Sequence, residues 1–383
     1  MTPARRAQVD PFLAMDVLAR ANRRAEAGKA VYHLEAGQPG CSAPRAALEA
    51  AATALTSENL GYTEALGRPA LRDRVARHYG ESYGVDLAPE RVIVTSGSSA
   101  GFILSFLAAF DAGSRLAMAV PGYPAYRNTA KALDLEPVLV RCGPEEDFRL
   151  SALALSRLNR WHGALIASPA NPTGTMMSRS EIGDIADLCA QRKAWLISDE
   201  IYHGICYGAP GETALSVAPD AIVINSFSKY YAMTGWRIGW MIVPEVLVRP
   251  IERLAQNLYI SPAAISQVAA LAAMDATSEL DGHVALYARN RSVLIAALRA
   301  AGLTTIAPAD GAFYLYVDVS GFGLAASRLA ERLLDEAGVA VTPGLDFDPE
   351  QGERWLRLSY AGSENEILAA ADALVRWCKT RLS

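Results

Sequence analysis

The stretch SFSKYYAMTGWRIGW, residues 226–240, sets Lys229 and Arg237 eight positions apart among aromatic and apolar residues, with Ser226 and Ser228 beside the lysine. Charges in such company cost folding free energy unless they are paired or put to use. A lysine that ends an apolar run such as AIVINSF loses its proton more easily in a pocket, because desolvation disfavours the ammonium. The neutral amine is then a nucleophile toward carbonyls and can form a Schiff base. Arg237 and the two serines have the donors for a charge-assisted phosphate clamp. Each residue also has an ordinary reading: lysines mostly lie on surfaces, and Arg237 fits a structural salt bridge. An amine for an aldehyde beside a clamp for a phosphate is the pairing that pyridoxal phosphate requires.

That cofactor makes further demands. Its pyridine nitrogen needs a carboxylate to stay protonated and act as an electron sink. ISDEIY (197–202) ends an apolar run with Asp199, which equally fits a helix N-cap. The phenolic oxygen needs donors, which Tyr202 and Asn171 of NPTG can supply; an Asn-Pro turn is otherwise an ordinary loop. Tyr123 of PGYPAY can stack on the ring or simply belong to the core. GSSAG (97–101) stays open between three readings: a hydrolase nucleophile elbow with Ser99 as nucleophile, a phosphate cradle at a helix N-terminus, and a plain capped turn. Against the hydrolase, no HGGG-type loop precedes it and the last histidine, His283, lies far from the C-terminus. SFSK matches S-x-x-K, but without S-D-N or K-T-G partners.

These groups need elements to bring them together. From about residue 44, helix-like segments such as PALRDRVARHY and RSEIGDIADLCAQR alternate with short apolar runs: RVIVTS, SRLAMAV, LEPVLV, GALIAS, AWLIS and AIVINSF. That alternation predicts a mostly parallel sheet covered by helices on both faces. The clusters SGSSAG, PGYPAY, SPANPTG, SDEIY and SFSK all follow such runs, at the carboxyl edge where open α/β sheets bind ligands. After about 275 the texture changes. HVALYARNRSVLIAALRAAG reads as a long helix ending at Gly302, and AFYLYVDVS, VAVTPG and RWLRLSY read as strands around helices near 325–337 and 364–380. This is a smaller α+β unit, against which the N-terminal segment can pack.

The whole chain permits this arrangement. Its 383 residues, 51% hydrophobic and 20% charged, can build two domains with a sizeable core. A net charge of -5 argues against a nucleic-acid protein, which usually shows a basic face. No run of 18 apolar residues is free of charge, so no membrane span is expected. Asp10 and Asp16 break any signal-peptide core near the N-terminus and leave an amphipathic helix. Cys41, Cys142, Cys189, Cys206 and Cys378 are widely spaced, with no CxxC, and read as free thiols in a reducing cytoplasm. The five histidines lack HExxH or paired spacing, so no metal site is expected.

Together, SFSKYYAMTGWRIGW, SPANPTG, ISDEIY, PGYPAY, WLRLSYA and LGYTEALGRPALR resemble the class I/II aminotransferases, fold type I pyridoxal-phosphate enzymes of the aspartate aminotransferase kind. The resemblance runs from about residue 31 to 375. It implies an α/β fold with a large domain, built on a mostly parallel seven-stranded sheet sandwiched by helices, and a smaller α+β domain. The expected division is 1–43 as a segment packing with the small domain, 44–280 as the cofactor domain, and 281–383 as the small domain. Lys229 would carry the Schiff base and move the proton between substrate Cα and cofactor. Asp199 would pair with the pyridinium nitrogen, Tyr202 and Asn171 would contact the phenolic oxygen, and Tyr123 would stack. Ser98, Ser99, Ser226, Ser228 and Arg237 would hold the phosphate. Tyr62 would reach the partner subunit's cofactor phosphate, which implies a homodimer. Asn171–Pro172 would be cis, and Arg357 with the backbone of Gly37 would grip the substrate α-carboxylate.

The implied reaction is ping-pong transfer of an amino group from an L-amino acid to 2-oxoglutarate or pyruvate. Rivals are a C–S β-lyase on the same fold, a serine hydrolase using Ser99, and a degenerate cofactor-binding regulator. Some aspartate-preferring relatives have a lysine at the position of Ser99, absent here, while Phe12 and Met15 hint at an apolar or aromatic side chain. TPGLDFDPEQGERW also carries Asp348 where the commoner pattern has glycine.

Overall fold

The computed structural model describes residues 1–380; the last three positions of the expected C-terminal unit, 381–383, lie outside the described residues. The chain opens with helix α1 (Leu13–Glu26) and the two-residue strand β1 (Tyr32–His33). Helices α2 (Arg45–Ser57) and α3 (Pro69–Tyr83) lead to β2 (Val92–Thr95) and α4 (Gly97–Ala109). Alternation continues through β3 (Arg115–Val120), α5 (Pro124–Ala132), β4 (Glu136–Arg141), α6 (Ala152–Ser156), β5 (Gly163–Ala167), α7 (Arg179–Arg192) and β6 (Trp195–Asp199). Next come β7 (Ile222–Ser226), β8 (Gly239–Ile242), α8 (Glu245–Leu258) and α9 (Ala264–Ala273). The long α10 (Thr277–Ala300) leads to β9 (Tyr314–Asp318), α11 (Ala326–Arg332), β10 (Val339–Ala340), β11 (Thr342–Pro343), β12 (Trp355–Ser359) and α12 (Glu364–Lys379).

Seven strands form one sheet in the order β2-β8-β7-β6-β5-β3-β4. All neighbours are parallel except at β8, which runs antiparallel to both β2 and β7. The α/β class and the mostly parallel sheet therefore stand as expected. Strands β2, β7 and β8 are buried at every position, as strands covered on both faces must be. One strand of this sheet is not among the expected runs: β8 is four residues of the apolar stretch IGWMIV, which follows directly on the Arg237 turn. Its neighbours supply the ladder that a short glycine-led run could not form alone.

A second, three-stranded antiparallel sheet, β11-β12-β9, lies in the C-terminal part. There β1 pairs in parallel with β10, Tyr32 opposite Val339, so the N-terminal segment joins these elements. Leu34 packs in one cluster with Phe313, Tyr314 and Leu358. Helix α10 is shared: Leu280 packs with the core of the large sheet, whereas Tyr287, Leu294 and Leu298 pack with the C-terminal core. A division at 280/281 thus falls within its first turns, with no break in the chain.

Candidate active site

Along the carboxyl edge of the large sheet, a cavity of about 510 Å³ opens between the two sets of elements. Lys229 lies on its wall, three residues beyond the end of β7. Its Nζ donates to the Gly37 carbonyl oxygen at 2.5 Å and sits 5.7 Å from the centre of the Tyr202 ring. Burial first, then the neighbouring Arg357 and Arg237 charges, pull its pKa down to about 8, against the opposing pull of Asp199.

Asp199, the last residue of β6, is buried. Tyr126 donates a short hydrogen bond to its Oδ2, and the Ile201 N–H donates to its Oδ1 at 3.1 Å. Its Oδ1 caps a turn, not the start of a helix, and the residue is buried beside Tyr126 without lining the cavity. Burial pushes its carboxyl up to about 6, while the Tyr126 and Ile201 donors and Lys229 pull it down. A cationic group arriving beside it would favour the anion further.

Arg357 projects from the middle of β12 and is 1% exposed. Its Nη1 donates to Asn171 Oδ1 at 3.0 Å, and its Nη2 donates to the Glu35 carbonyl at 2.6 Å. Its guanidinium carbon stands 4.4 Å from the Tyr314 ring centre and 4.8 Å from that of Phe347. No side-chain carboxylate pairs with it in a salt bridge among the described residues, and its buried Nε has no partner. A buried cation held by carbonyls and aromatic faces is left with charge to offer a carboxylate. The Asn171–Pro172 bond is cis, as expected.

One end of the cavity is built around the start of α4. Gly97 has φ +76°, and a Cβ there would stand 2.6 Å from Arg237 Nη2. Glycine thus lets the guanidinium cross directly over the helix N-terminus, whose free N–H groups already attract anions. Ser98, Ser99, Ser228 and Arg237 all line the cavity. Ser226 does not: it is buried behind Ser228, its Oγ 2.9 Å from Ser228 Oγ and 3.2 Å from the Ile238 carbonyl. Its place is to position Ser228. Tyr62 also lies outside the cavity, 84% exposed.

Tyr123 lines the cavity, edge-on to Phe12 at 5.8 Å between ring centres. Tyr202 is buried, its hydroxyl 2.7 Å from that of Tyr314. Tyr126 and Tyr314 were not among the residues expected from sequence. Tyr126 stands three positions after Tyr123 in PGYPAY, on the same face of α5, and that spacing is its signal. Tyr314 is one more aromatic in a buried strand, and nothing local distinguishes it from core. No histidine lines the cavity among the described residues, so Ser99 lacks there the base of a Ser-His-Asp triad.

The set fits pyridoxal phosphate. It combines an amine of lowered pKa, a buried carboxylate for a ring nitrogen, and a guanidinium with hydroxyls at a helix N-terminus for phosphate. The bare Gly97, which lets the Arg237 guanidinium lie against the start of α4 beside Ser98 and Ser99, is the structural mark of that fit.

Comparison with known proteins agrees. Residues 29–374 match the family model of aminotransferases class I and II. The chain is 47% identical over 380 residues, 98% of either protein, to a valine–pyruvate aminotransferase of Mycobacterium tuberculosis. It is 32% identical over 347 residues, 89% of this chain and 88% of the other, to an arginine–pyruvate transaminase of Pseudomonas aeruginosa. Among solved structures it is similar to an aminotransferase from M. tuberculosis, with TM-score 0.97 and 45% identity over 99% of this chain and 100% of that one. The aspartate aminotransferase of Thermus thermophilus with maleate gives TM-score 0.93 and 32% identity, over 98% and 99% of the two chains.

Proposed function

The chain belongs to the class I and II aminotransferases, pyridoxal 5′-phosphate-dependent transferases that move an amino group between an amino acid and a 2-oxo acid, and on that premise we propose that its donor is a neutral L-amino acid with an apolar side chain and its acceptor pyruvate. The observation that carries this reading is the wall facing the Arg357–Lys229 pair. Phe12, Met15 and Leu18 of the α1 region line it. Among the described residues the cations lining the cavity are Lys229, Arg237 and Arg357, each with a task of its own, which leaves none of them for a side-chain carboxylate. The names of the valine–pyruvate and arginine–pyruvate relatives support pyruvate as acceptor.

When bound, pyridoxal phosphate supplies an aldehyde carbon and a protonated ring that accepts electron density. Ser98, Ser99, Ser228 and Arg237 would hold its phosphate, with Ser226 fixing Ser228. Asp199 would keep a proton on the ring nitrogen, its carboxylate held in place by Tyr126. Tyr202 would donate to the phenolic oxygen, and so would the Asn171 amide N–H₂, since its oxygen is taken by Arg357. Tyr123 would pack against the ring. Arg357 and the Gly37 N–H orient the substrate α-carboxylate, so the Cα–H bond is presented to the amine of Lys229. With a pKa near 8, that amine both accepts and returns the Cα proton close to neutral pH.

The reading extends to assembly and place. The parts 1–43 and 281–383 act as one unit against 44–280, the cavity lying between. A homodimer brings Tyr62 to the partner's phosphate; exposed Tyr62, Leu258 and Ile260, joined through a Thr63 N–H to Ser261 hydrogen bond, support an interface there. Five cysteines outside any disulfide support a cytoplasmic location. Steady-state rates for a panel of amino donors with pyruvate test the proposal. Valine, leucine and similar donors are expected to exceed aspartate more than tenfold in kcat/KM; preference for aspartate would sink it. Release of pyruvate and ammonia from a donor alone would instead favour the β-lyase.

A further inference from the structure

We infer that Asp346 is a specificity-setting positioning residue, which caps helix α1 from across the molecule and thereby fixes the apolar wall that meets the donor side chain. The inference rests on the apolar-donor reading above.

Helix α1 begins without a cap of its own, since Phe12 at its N-cap position has no side chain that can accept. Its first N–H groups turn elsewhere. Leu13 N–H donates to Asp346 Oδ1 at 3.1 Å and Ala14 N–H donates to Oδ2 at 3.2 Å. One carboxylate therefore satisfies two orphan donors and sits at the positive end of the α1 dipole. Asp346 is 1% exposed, so water does not replace it readily.

The same short segment also holds the catalytic end of the cavity. The Asp346 carbonyl accepts from Arg127 Nη2 of α5 at 2.7 Å. Gly122 N–H, next to Tyr123, donates to the Phe347 carbonyl at 3.1 Å. The Phe347 ring lies against Arg357. Asp346 thus refers the position of α1 to the group that grips the substrate carboxylate.

The two ends of α1 are anchored differently. Its later turns are held independently: Ala21 packs with Leu334 and Ala340, and Arg20 pairs with Asp335 at 2.7 Å. The first turn, with Phe12 and Met15, has Asp346, the edge contact of Phe12 on Tyr123, and an Asn128 hydrogen bond to the Asp10 carbonyl at 3.2 Å. Loss of the carboxylate loosens that turn and leaves the hydrogen bonds of Arg357, Asn171 and Lys229 in place, while the negative charge that Arg357 feels is removed for every donor alike, so the measure is the fall for large donors relative to alanine. A small donor that does not reach α1 is indifferent to this, and a large apolar one is not.

The test uses the holoenzyme, mixed with one amino acid at a time and no acceptor, following loss of the cofactor's aldehyde-form absorbance. In Asp346→Ala, the second-order rate constants for valine, leucine and phenylalanine are expected to fall about tenfold, while that for alanine stays within about twofold. Asp346→Asn, which keeps one acceptor oxygen, falls between. Chymotrypsin cleavage after Phe12 and Leu13, in the first turn, is expected to accelerate severalfold in Asp346→Ala. A parallel fall for alanine, no fall for any donor, or unchanged cleavage overturns the assignment; Asp346→Asn decides in the same way if the alanine variant does not fold. If the wild-type protein itself reacts faster with aspartate than with leucine, the donor reading fails, whatever the variants do.

Discussion

Lys229 Nζ and the Gly37 carbonyl oxygen are joined by a 2.5 Å hydrogen bond, which ties the end of β7 to a loop 192 residues earlier in the chain. The amine is thereby held at the meeting of the two sets of elements, where Arg357 and Arg237 also press on its charge.

The first prediction concerns that amine. Only its neutral form attacks an aldehyde, and with a pKa of about 8 half of the amine is neutral near pH 8. Capture of pyridoxal phosphate by the cofactor-free protein, trapped with borohydride and located by peptide mass, is expected to rise with pH, pass its half-maximum near pH 8 and level off roughly one to two units above. Lys229→Ala is expected to lose the trapped adduct and more than about 10³-fold in kcat. A pH-independent capture rate, or an adduct at the site in the variant, would contradict this.

Arg357→Lys tests the carboxylate grip. Lysine keeps the charge and loses the planar fork that Asn171, Glu35 and the aromatic faces hold. KM for donor and acceptor is expected to rise together by about 10- to 100-fold, which is about 1.4–2.8 kcal/mol of binding. A rise for one substrate alone would mean that the two do not share this site.

Gly97→Ala tests the anion cradle. The added Cβ would meet Arg237 Nη2 at 2.6 Å and Cζ at 3.0 Å, at a backbone φ that L-residues rarely adopt. Affinity for pyridoxal phosphate is expected to fall about tenfold or more in equilibrium titrations, while affinity for pyridoxal, which lacks the phosphate, stays nearly unchanged. Equal losses would place the damage elsewhere.

Glu200, beside Asp199, predicts a pH signature in stability. Its Oε1 accepts from Ser198, Thr213 and the Ala214 N–H, while its buried Oε2 has no hydrogen bond and stands 3.6 Å from His203 Nδ1. Burial lifts its carboxyl from 4.5 to about 7, against the pull of those donors. Between these values the unfolded chain releases the proton and the folded protein keeps it. The stabilisation is therefore complete below about pH 4.5 and lost as pH rises to 7, by up to about 3 kcal/mol. Glu200→Gln does not titrate. The melting-temperature difference, wild type minus variant, in cofactor-free protein is expected to fall across that window; a flat difference from pH 4.5 to 8 would refute it. Asp199 and His203 remain in both proteins, and their coupling to Glu200 is part of the difference that is read.

Some departures from the family pattern become intelligible only in three dimensions. Asp348, where glycine is commoner, accepts from the Glu350 and Gln351 N–H groups at 2.9 and 3.0 Å and meets Arg141 at 3.3 Å. The carboxylate thus closes its own turn and ties it to the end of β4. Ser226 could be identified as part of the cradle by its place in SFSK, but not as the residue standing behind Ser228, because neighbours two apart in a turn share no fixed face.

The sequence by itself determined the chemistry. Lys229, Asp199, Arg237 and Arg357 are costly groups set at the ends or in the middle of apolar runs, and alternation of helix and strand brings such strand ends to one edge. Tertiary structure alone decided how those groups are held. Tyr126 reaches Asp199 across 73 residues, Tyr314 reaches Tyr202 across 112, and Asp346 reaches α1 across more than 330. A buried tyrosine or a distant cap leaves no periodic trace in the chain, since its partner is chosen by packing and not by spacing. The insertion of β8 and the docking of the first residues onto β10 have the same cause: short segments take their place from the surfaces that larger elements leave open.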